Sequence, residues 1–317
     1  MEYLIAYLEF PYCGLAVLRR RLQGTMIHPK QKRFSSRSSS SLPATVTGLI
    51  VVMMTMMISS SSLVVFVLAD TIQGTSGDDT LNGTPKADTI SGFEGNDLIY
   101  GKGGNDILLD GGKGDDQIYG GDGNDNIKDG NNDPPDPGGN ADYYNKVYGG
   151  SGNDNINVGI DYRRADFYYV YGEDGVDYIN VVSNAAISGG PKDDTIYCTG
   201  YECIVNGDEG NDRIHIESYD VGSSVYGGSG NDKIYFKAPA SVENGDDGND
   251  YVFVDGGGGD LHGGKGNDIL EASAGYNDYT GGPGADNFKC SPGPYDVVED
   301  YNPAEGDTVS ANCETVL

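Results

Sequence analysis

Residues 111–119 read "GGKGDDQIY" and residues 120–128 read "GGDGNDNIK". Each runs Gly-Gly-x-Gly-x-Asp and then places an isoleucine two residues past the aspartate. Six residues of turn formers followed by three β-prone residues read as a tight turn and a short strand. In that strand the central residue points inward and its neighbours point out.

The phrase extends far beyond these two copies. Aspartates with an apolar residue two positions later occur at Asp79, Asp88, Asp97, Asp106, Asp116 and Asp125, in steps of nine, nine, nine, ten and nine. The single step of ten is read as one extra residue, Asp110. The unit recurs at Asp154, Asp177, Asp194, Asp212, Asp232, Asp250, Asp268 and Asp286, the last three steps all being eighteen. The inward positions that follow are Leu81, Ile90, Ile99, Leu108, Ile118, Ile127, Ile156, Ile179, Ile196, Ile214, Ile234, Val252, Leu270 and Phe288. Two residues before the aspartate stands glycine in 12 of the 14 units, and Lys86 and Lys192 in the other two.

A fixed short period predicts a solenoid. Two nonapeptides make an eighteen-residue coil with a strand on each side, and coils stack at a strand spacing of about 4.8 Å. Aspartates eighteen apart then line one edge, close enough to repel strongly unless a cation lies between them. Composition agrees. The chain of 317 residues has 50 glycines, no tryptophan and a net charge of -29. Residues 1–69 hold seven of the 20 basic groups and only Glu2 and Glu9 among the acids, so the remaining 248 residues carry 13 basic against 47 acidic groups, a net of -34. Such a surface repels nucleic acid and attracts cations. Glycine and charge at this level otherwise suggest disorder, and the period argues against it.

The nonapeptides at 111–119 and 120–128 resemble the GGxGxDxUx unit of RTX, or hemolysin-type, calcium-binding repeats. The resemblance covers roughly residues 74–290. It implies an all-β fold: a right-handed parallel β-roll of 18-residue coils with Ca²⁺ between the turns, several ions in all. It further implies that the ions are held by the fourteen aspartates named above and by carbonyls of the glycine-rich loops. These are Gly77, Gly95, Gly104, Gly114, Gly123, Gly152, Gly210, Gly230, Gly248, Gly266 and Gly284. Lys86 and Lys192 weaken their own turns, because lysine disfavours the positive-φ conformation that glycine accepts. Asp154 and Asp177 flank irregular stretches. Asp260, Asp278 and Asp296 are also eighteen apart and are candidates for marking a decayed edge. "DVVEDYNPAEGDTVS" at 296–310 resembles the segment that closes such repeats, so 291–317 is read as a C-terminal cap.

Calcium suits the turns on chemical grounds. It takes six to eight oxygens at about 2.3 to 2.6 Å in irregular cages, whereas Mg²⁺ demands a tight octahedron. Transition metals favour His or Cys, which the turns lack. With site constants of about 10⁻⁴ to 10⁻³ M and free calcium of about 1 mM, each independent site contributes roughly 0.4 to 1.4 kcal/mol. Ten sites then give on the order of 4 to 14 kcal/mol, the size of a whole domain's stability. The expectation is a chain that calcium folds.

The ends and interruptions read differently. Basic Lys30, Lys32, Arg33 and Arg37 precede a serine-rich stretch and the apolar run Gly48–Ala69, which predicts a signal peptide cleaved after Ala69. The alternative is an uncleaved anchor. Met26 is an alternative start to Met1. Beyond the leader stand Cys198, Cys203, Cys290 and Cys313, an even number that suggests disulfides and allows three pairings. Sequence proximity favours Cys198–Cys203 and Cys290–Cys313. Residues 129–146 contain prolines that interrupt a strand. Residues 161–171 are tyrosine-rich, with Arg163 and Arg164, and read as an outward rung of a strand or as a partner or glycan site.

No HExxH or GxSxG motif occurs, and none of the three histidines has a catalytic neighbour in sequence. The favoured function is an exported, calcium-stabilised structural or adhesive protein, secreted or held at the cell surface, whose partners are calcium and a cell-surface polysaccharide or envelope protein. The alternatives are a polysaccharide-acting enzyme or accessory module built on the roll, and an acidic extracellular calcium buffer.

Overall fold

The structure is a computed structural model that describes residues 45–46, 69–130, 143–159, 166–218, 222–237, 241–256, 258–293 and 295–317. The predicted leader and its apolar run therefore lie outside the described residues, apart from a two-residue strand, Thr45–Val46. That strand pairs antiparallel with Thr71–Gln73. Among the described residues there is no helix, and none long and apolar enough to cross a membrane.

From Thr71 onward the chain is a parallel β-solenoid of about twelve turns. One sheet has 14 strands, Thr45–Val46 included, and the other has 13. The strands alternate between the sheets in chain order, so each coil contributes one strand to each. Register follows the repeat: Ile72 pairs with Ile90, Ile156 with Ile179, Ile196 with Ile214, and Val252 with Leu270. The facing sheet stacks Leu81 on Ile99, Ile118 on Val147, and Val147 on Val170. These columns are buried to 0–4 % exposure and form the core. Glu243, fully buried between Val225 and Leu261, is the one acid in the second column. One inward side chain per short strand is all the repeat allows, which is why the core is a ladder of single residues.

The structure corrects one reading. Thr89 pairs with Leu108 and Ile90 with Leu109, and Leu109 is fully buried while Ile107 is 57 % exposed. The extra residue therefore sits just after Asp106, as a bulge of Ile107 and Leu108 opposite Thr89, and not at Asp110. Burial decides the matter: shifting the insertion past Asp106 exposes Ile107 and brings Leu109 into line with Ile90 and Ile127.

The two edges of the solenoid differ. On the long edge, turns such as Gly83–Asp88, Gly149–Asp154, Gly207–Asp212 and Gly281–Asp286 all span six residues. On the other, or short, edge the turns that keep that form among the described residues are those ending at Asp79, Asp97 and Asp116. Of the two stretches read as interruptions, residues 131–142 and 161–165 lie outside the described residues. Strands Tyr143–Ser151 and Asp166–Asp174 begin inside those stretches and rejoin the ladder side by side. Inward positions of the short edge are then filled by Val158, Val181, Cys198, Ile216, Phe236, Val254, Ala272 and Cys290, all buried. A second apolar residue per coil replaces the glycine of the early turns, so the core widens as the repeat is lost.

Both disulfides expected from sequence are present, Cys198–Cys203 and Cys290–Cys313. Cys198 continues the inward column after Val181, and Cys203 pairs with Ala185. The bond thus spans a short-edge turn that has no repeat aspartate. Cys290–Cys313 ties the last coils together, and 291–317 continues both sheets through Val297–Val298, Thr308–Val309 and Thr315–Val316.

Candidate metal centre

The repeat aspartates form a continuous ladder along the long edge. The backbone N–H of Asp88 donates to Asp106 Oδ1 at 2.8 Å, that of Asp106 to Asp125, and that of Asp125 to Asp154. The series continues through Asp177, Asp194, Asp212, Asp232, Asp250, Asp268 and Asp286 at 2.7–2.9 Å. It ends on Asp307, which accepts from Asp286 at 2.9 Å. Each aspartate carbonyl in turn accepts the N–H one residue past the next aspartate, as Asp194 does from Arg213. These two bonds fix the carboxylate in place.

The other carboxylate oxygen points into the turn. In Asp97, Asp106, Asp125, Asp154, Asp177, Asp194, Asp212, Asp232, Asp250, Asp268 and Asp286, Oδ2 is buried and takes no hydrogen bond. At the start of the ladder the pattern differs: Asp79 Oδ2 accepts from Thr75 N–H at 2.5 Å and Oγ1 at 2.8 Å, and Asp88 Oδ2 accepts from Thr84 N–H at 2.6 Å. A buried carboxylate oxygen without a donor is costly, and a column of them demands a counter-charge.

The space beside each oxygen is a cradle that glycine keeps open. A Cβ added at Gly189 would lie 2.7 Å from both Asp194 Oδ2 and the Gly207 carbonyl oxygen. At Gly227 it would meet Asp232 Oδ2 at 2.5 Å and Gly245 O at 2.6 Å, and at Gly245 it would meet Asp250 Oδ2 at 2.6 Å and Gly263 O at 2.5 Å. Each such point is bounded by a carboxylate and a carbonyl from the next coil, at separations close to those calcium makes with oxygen. Among the described residues no three His, Cys, Asp or Glu side chains converge on one point. The donor set is therefore mixed side chain and backbone, which suits a hard cation and not a transition metal.

Glycines two residues before the aspartates pack backbone on backbone. A Cβ at Gly230, Gly248, Gly266 or Gly284 would collide with the carbonyl oxygen of the preceding glycine in its column. Lys192 takes φ 87° in the turn, the strained conformation expected of it. Gly95, Gly104, Gly114, Gly123 and Gly152 stand in the same turn position with positive φ, and Gly77 lies at the open start of the roll.

The electrostatics follow from the geometry. Burial pushes Asp97, Asp106, Asp154, Asp177 and Asp194 up to about 7, and Asp212 and Asp250 to about 8. Asp232, Asp268 and Asp286 rise to about 6. Neighbouring carboxylates add to the rise, and the backbone N–H from the preceding coil opposes it.

On the short edge the ladder runs Asp79, Asp97, Asp116 and then Asn145, whose Oδ1 accepts from Asp116 N–H at 2.7 Å. Much later it resumes: Asn277 accepts from Gly259, and Asp296 from Asn277. Of the three aspartates read as marking the decayed edge, Asp296 alone does so. Asp260 and Asp278 pair with each other one residue further on and face solvent. Asp296 is also saturated, accepting from Ser291 N–H and Oγ, so it differs from the orphaned long-edge set. Sequence reasoning passed over Asp307, although the Gly306-Asp307 pair announces it. It also passed over the glycine five residues before each aspartate, whose carbonyl lies beside the Oδ2 of the preceding coil.

The family model described as RTX calcium-binding nonapeptide repeat (4 copies) matches residues 73–108, 108–128, 142–162, 223–237 and 255–288. The matched segments are similar to RTX calcium-binding nonapeptide repeats, and they lie on a parallel β-solenoid consistent with a β-roll. No curated protein matches it. The span from Asp177 to Asp212 falls outside the matched segments, yet continues the same ladder without a break.

Proposed function

We propose that this chain is an exported protein that several calcium ions fold into a β-roll, with a structural or adhesive role at or beyond the cell envelope. The carrying observation is the column of buried long-edge aspartates whose Oδ2 atoms lack any donor and face the carbonyls of the next coil. Calcium would be held there by the repeat aspartates and loop carbonyls, and it supplies the positive charge that the side chains lack. The large acidic excess supports a partner that is not nucleic acid. Two disulfides support an oxidising destination.

Calcium titration of the purified chain, followed by far-UV circular dichroism and by counting bound metal, tests this reading. The expected outcome is a chelated chain that is unfolded at pH 8 and that added calcium converts to a compact β state with multiple ions bound. A β-rich spectrum that persists in excess EGTA at pH 8 contradicts it. Graded weak binding without compaction favours an acidic calcium buffer.

A second reading has one observation in its favour. Tyr100, Tyr119, Tyr148 and Tyr171 stack at centroid distances of 5.1, 4.7 and 4.9 Å, and a cavity of about 350 Å³ opens between Lys146, Tyr148, Tyr169 and Tyr171. This face is where a cell-surface polysaccharide would dock. Because the rings cover one another, the ladder offers edges and hydroxyls more than flat faces, which favours hydrogen bonding to a glycan over ring stacking. Binding to, or turnover of, alginate-like polymers that is lost on Tyr171→Ala supports this reading.

A further inference from the structure

The short edge loses its repeat at one residue, Asp129. The glycines five positions before the first three short-edge aspartates are Gly74, Gly92 and Gly111, in successive coils. In the next coil the matching position is Asp129, and after it come Val158 and Val181, which pair in register with Asp129 and with each other. Asp129 thus stands at the junction between a glycine column and an apolar column, with its side chain turned inward.

The cradle at Gly111 differs from its neighbours for this reason. A Cβ at Gly74 or Gly92 would meet the repeat aspartate and the carbonyl oxygen of the next glycine. At Gly111 it would lie 2.5 Å from Asp116 Oδ2 and 2.5 Å from Asp129 Oδ1. A carboxylate oxygen has taken the place of a backbone carbonyl. Asp129 is 1 % exposed, neither of its oxygens has a well-formed hydrogen bond, and its near neighbours are the Gly130 N–H and the Asp116 carboxylate. A carboxylate buried against Val158 and facing a second carboxylate is costly unless a cation between the two, or a proton shared by them, offsets the charge.

We propose that Asp116 and Asp129 together hold a divalent cation in the Gly111 cradle, a site completed by a side chain outside the nonapeptide. Two carboxylates give it more negative charge than any single-aspartate cradle of the long edge, and more charge raises calcium affinity. The site would close the metal-bearing part of the short edge one coil before the apolar filling begins at Val158. It rests on the reading that the repeat aspartates bind calcium.

The test counts calcium bound to the full chain at saturating free calcium, by atomic emission, with circular dichroism on the same samples. The set comprises the wild type, Asp129→Asn, Asp129→Val and the long-edge control Asp212→Asn. Asp129→Val installs the residue type that later coils carry there, so it keeps the proposal testable where Asp129→Asn fails to fold. The expected result is one ion fewer in either folded Asp129 variant, with the β spectrum in calcium retained. A wild-type ion count in both Asp129 variants, alongside a loss in Asp212→Asn, overturns the Asp129 site and leaves the long-edge reading standing. An unchanged count with a metal-free Asp129→Asn chain more stable than wild type assigns the pair a shared proton and also overturns it. A wild-type chain that binds no calcium sinks both.

Discussion

Asp212 shows what each long-edge aspartate must reconcile. Its Oδ1 accepts the N–H of Asp194 at 2.7 Å, while its Oδ2 is buried without a donor. Burial raises its pKa from 3.8 to about 8. In the unfolded chain such a group ionises freely above about pH 4. Between pH 4 and 8 the metal-free fold therefore binds more protons than the unfolded chain, and its stability falls as pH rises. The metal-free roll is predicted to be most compact near pH 4 to 5 and least compact above pH 8, as circular dichroism in EGTA across that range will show. Calcium must displace those protons. Its apparent affinity is predicted to drop on going from pH 8 to pH 6, with proton release on binding measurable in weakly buffered solution. Removing the charge at Asp212 with Asn is expected to weaken calcium binding while making the metal-free state less unfavourable, a pair of opposite shifts that two melts, with and without calcium, will separate.

At the level of the coil, the glycine beside each aspartate matters as much as the aspartate. Gly189→Ala places a methyl 2.7 Å from Asp194 Oδ2 and Gly207 O, inside the cradle. It is expected to abolish one calcium site and cost about 2 kcal/mol or more in calcium, since overpacking adds to the loss of the ion. Ile214→Ala, in the buried column, is expected to cost about 2 to 5 kcal/mol in calcium without losing an ion, because it leaves a cavity between Ile196 and Ile234. Chemical denaturation in calcium, with the bound ions counted, distinguishes the two. The long edge was readable in the sequence because its turns keep one length, so period and geometry coincide from Gly83 to Asp286. The short edge was not. Its glycines give way to Val158, Val181 and Ile216, whose inward direction depends on register across coils and not on any local phrase. The bulge at Ile107 was hidden for a related reason: Ile107, Leu108 and Leu109 are all apolar, and only pairing with Ile90 decides which enters the core.

Across the whole solenoid, cohesion changes character along the chain. The first coils have aspartate turns on both edges, while from Val158 onward one edge is filled by apolar side chains and, at two places, by disulfides. Solenoid stability is a sum of coil and nearest-neighbour terms, so different parts can respond differently to the same treatment. Chelation is therefore predicted to release residues 69–130 before residues 196–290. Amide hydrogen exchange at stepwise lower calcium will display protection lost from the N-terminal coils first. Loss of protection at the same calcium level throughout contradicts the division. Replacing Cys290 and Cys313 by serine is expected to cost about 3 kcal/mol, from the loop the bond closes, and to expose strands Thr308–Val309 and Thr315–Val316 in the same experiment.

The covalent clasp at the C-terminal end has a consequence for the direction in which order spreads. Parallel strands of a solenoid need a neighbour to lie on, and the first coil to form has none. A segment locked by Cys290–Cys313 presents such a seat, so a chain refolding with that bond intact is expected to wind from tail toward head. A chain shortened before Cys290 would have to start that winding with no foundation, and would lag in assembly even where its remaining cation sites are intact.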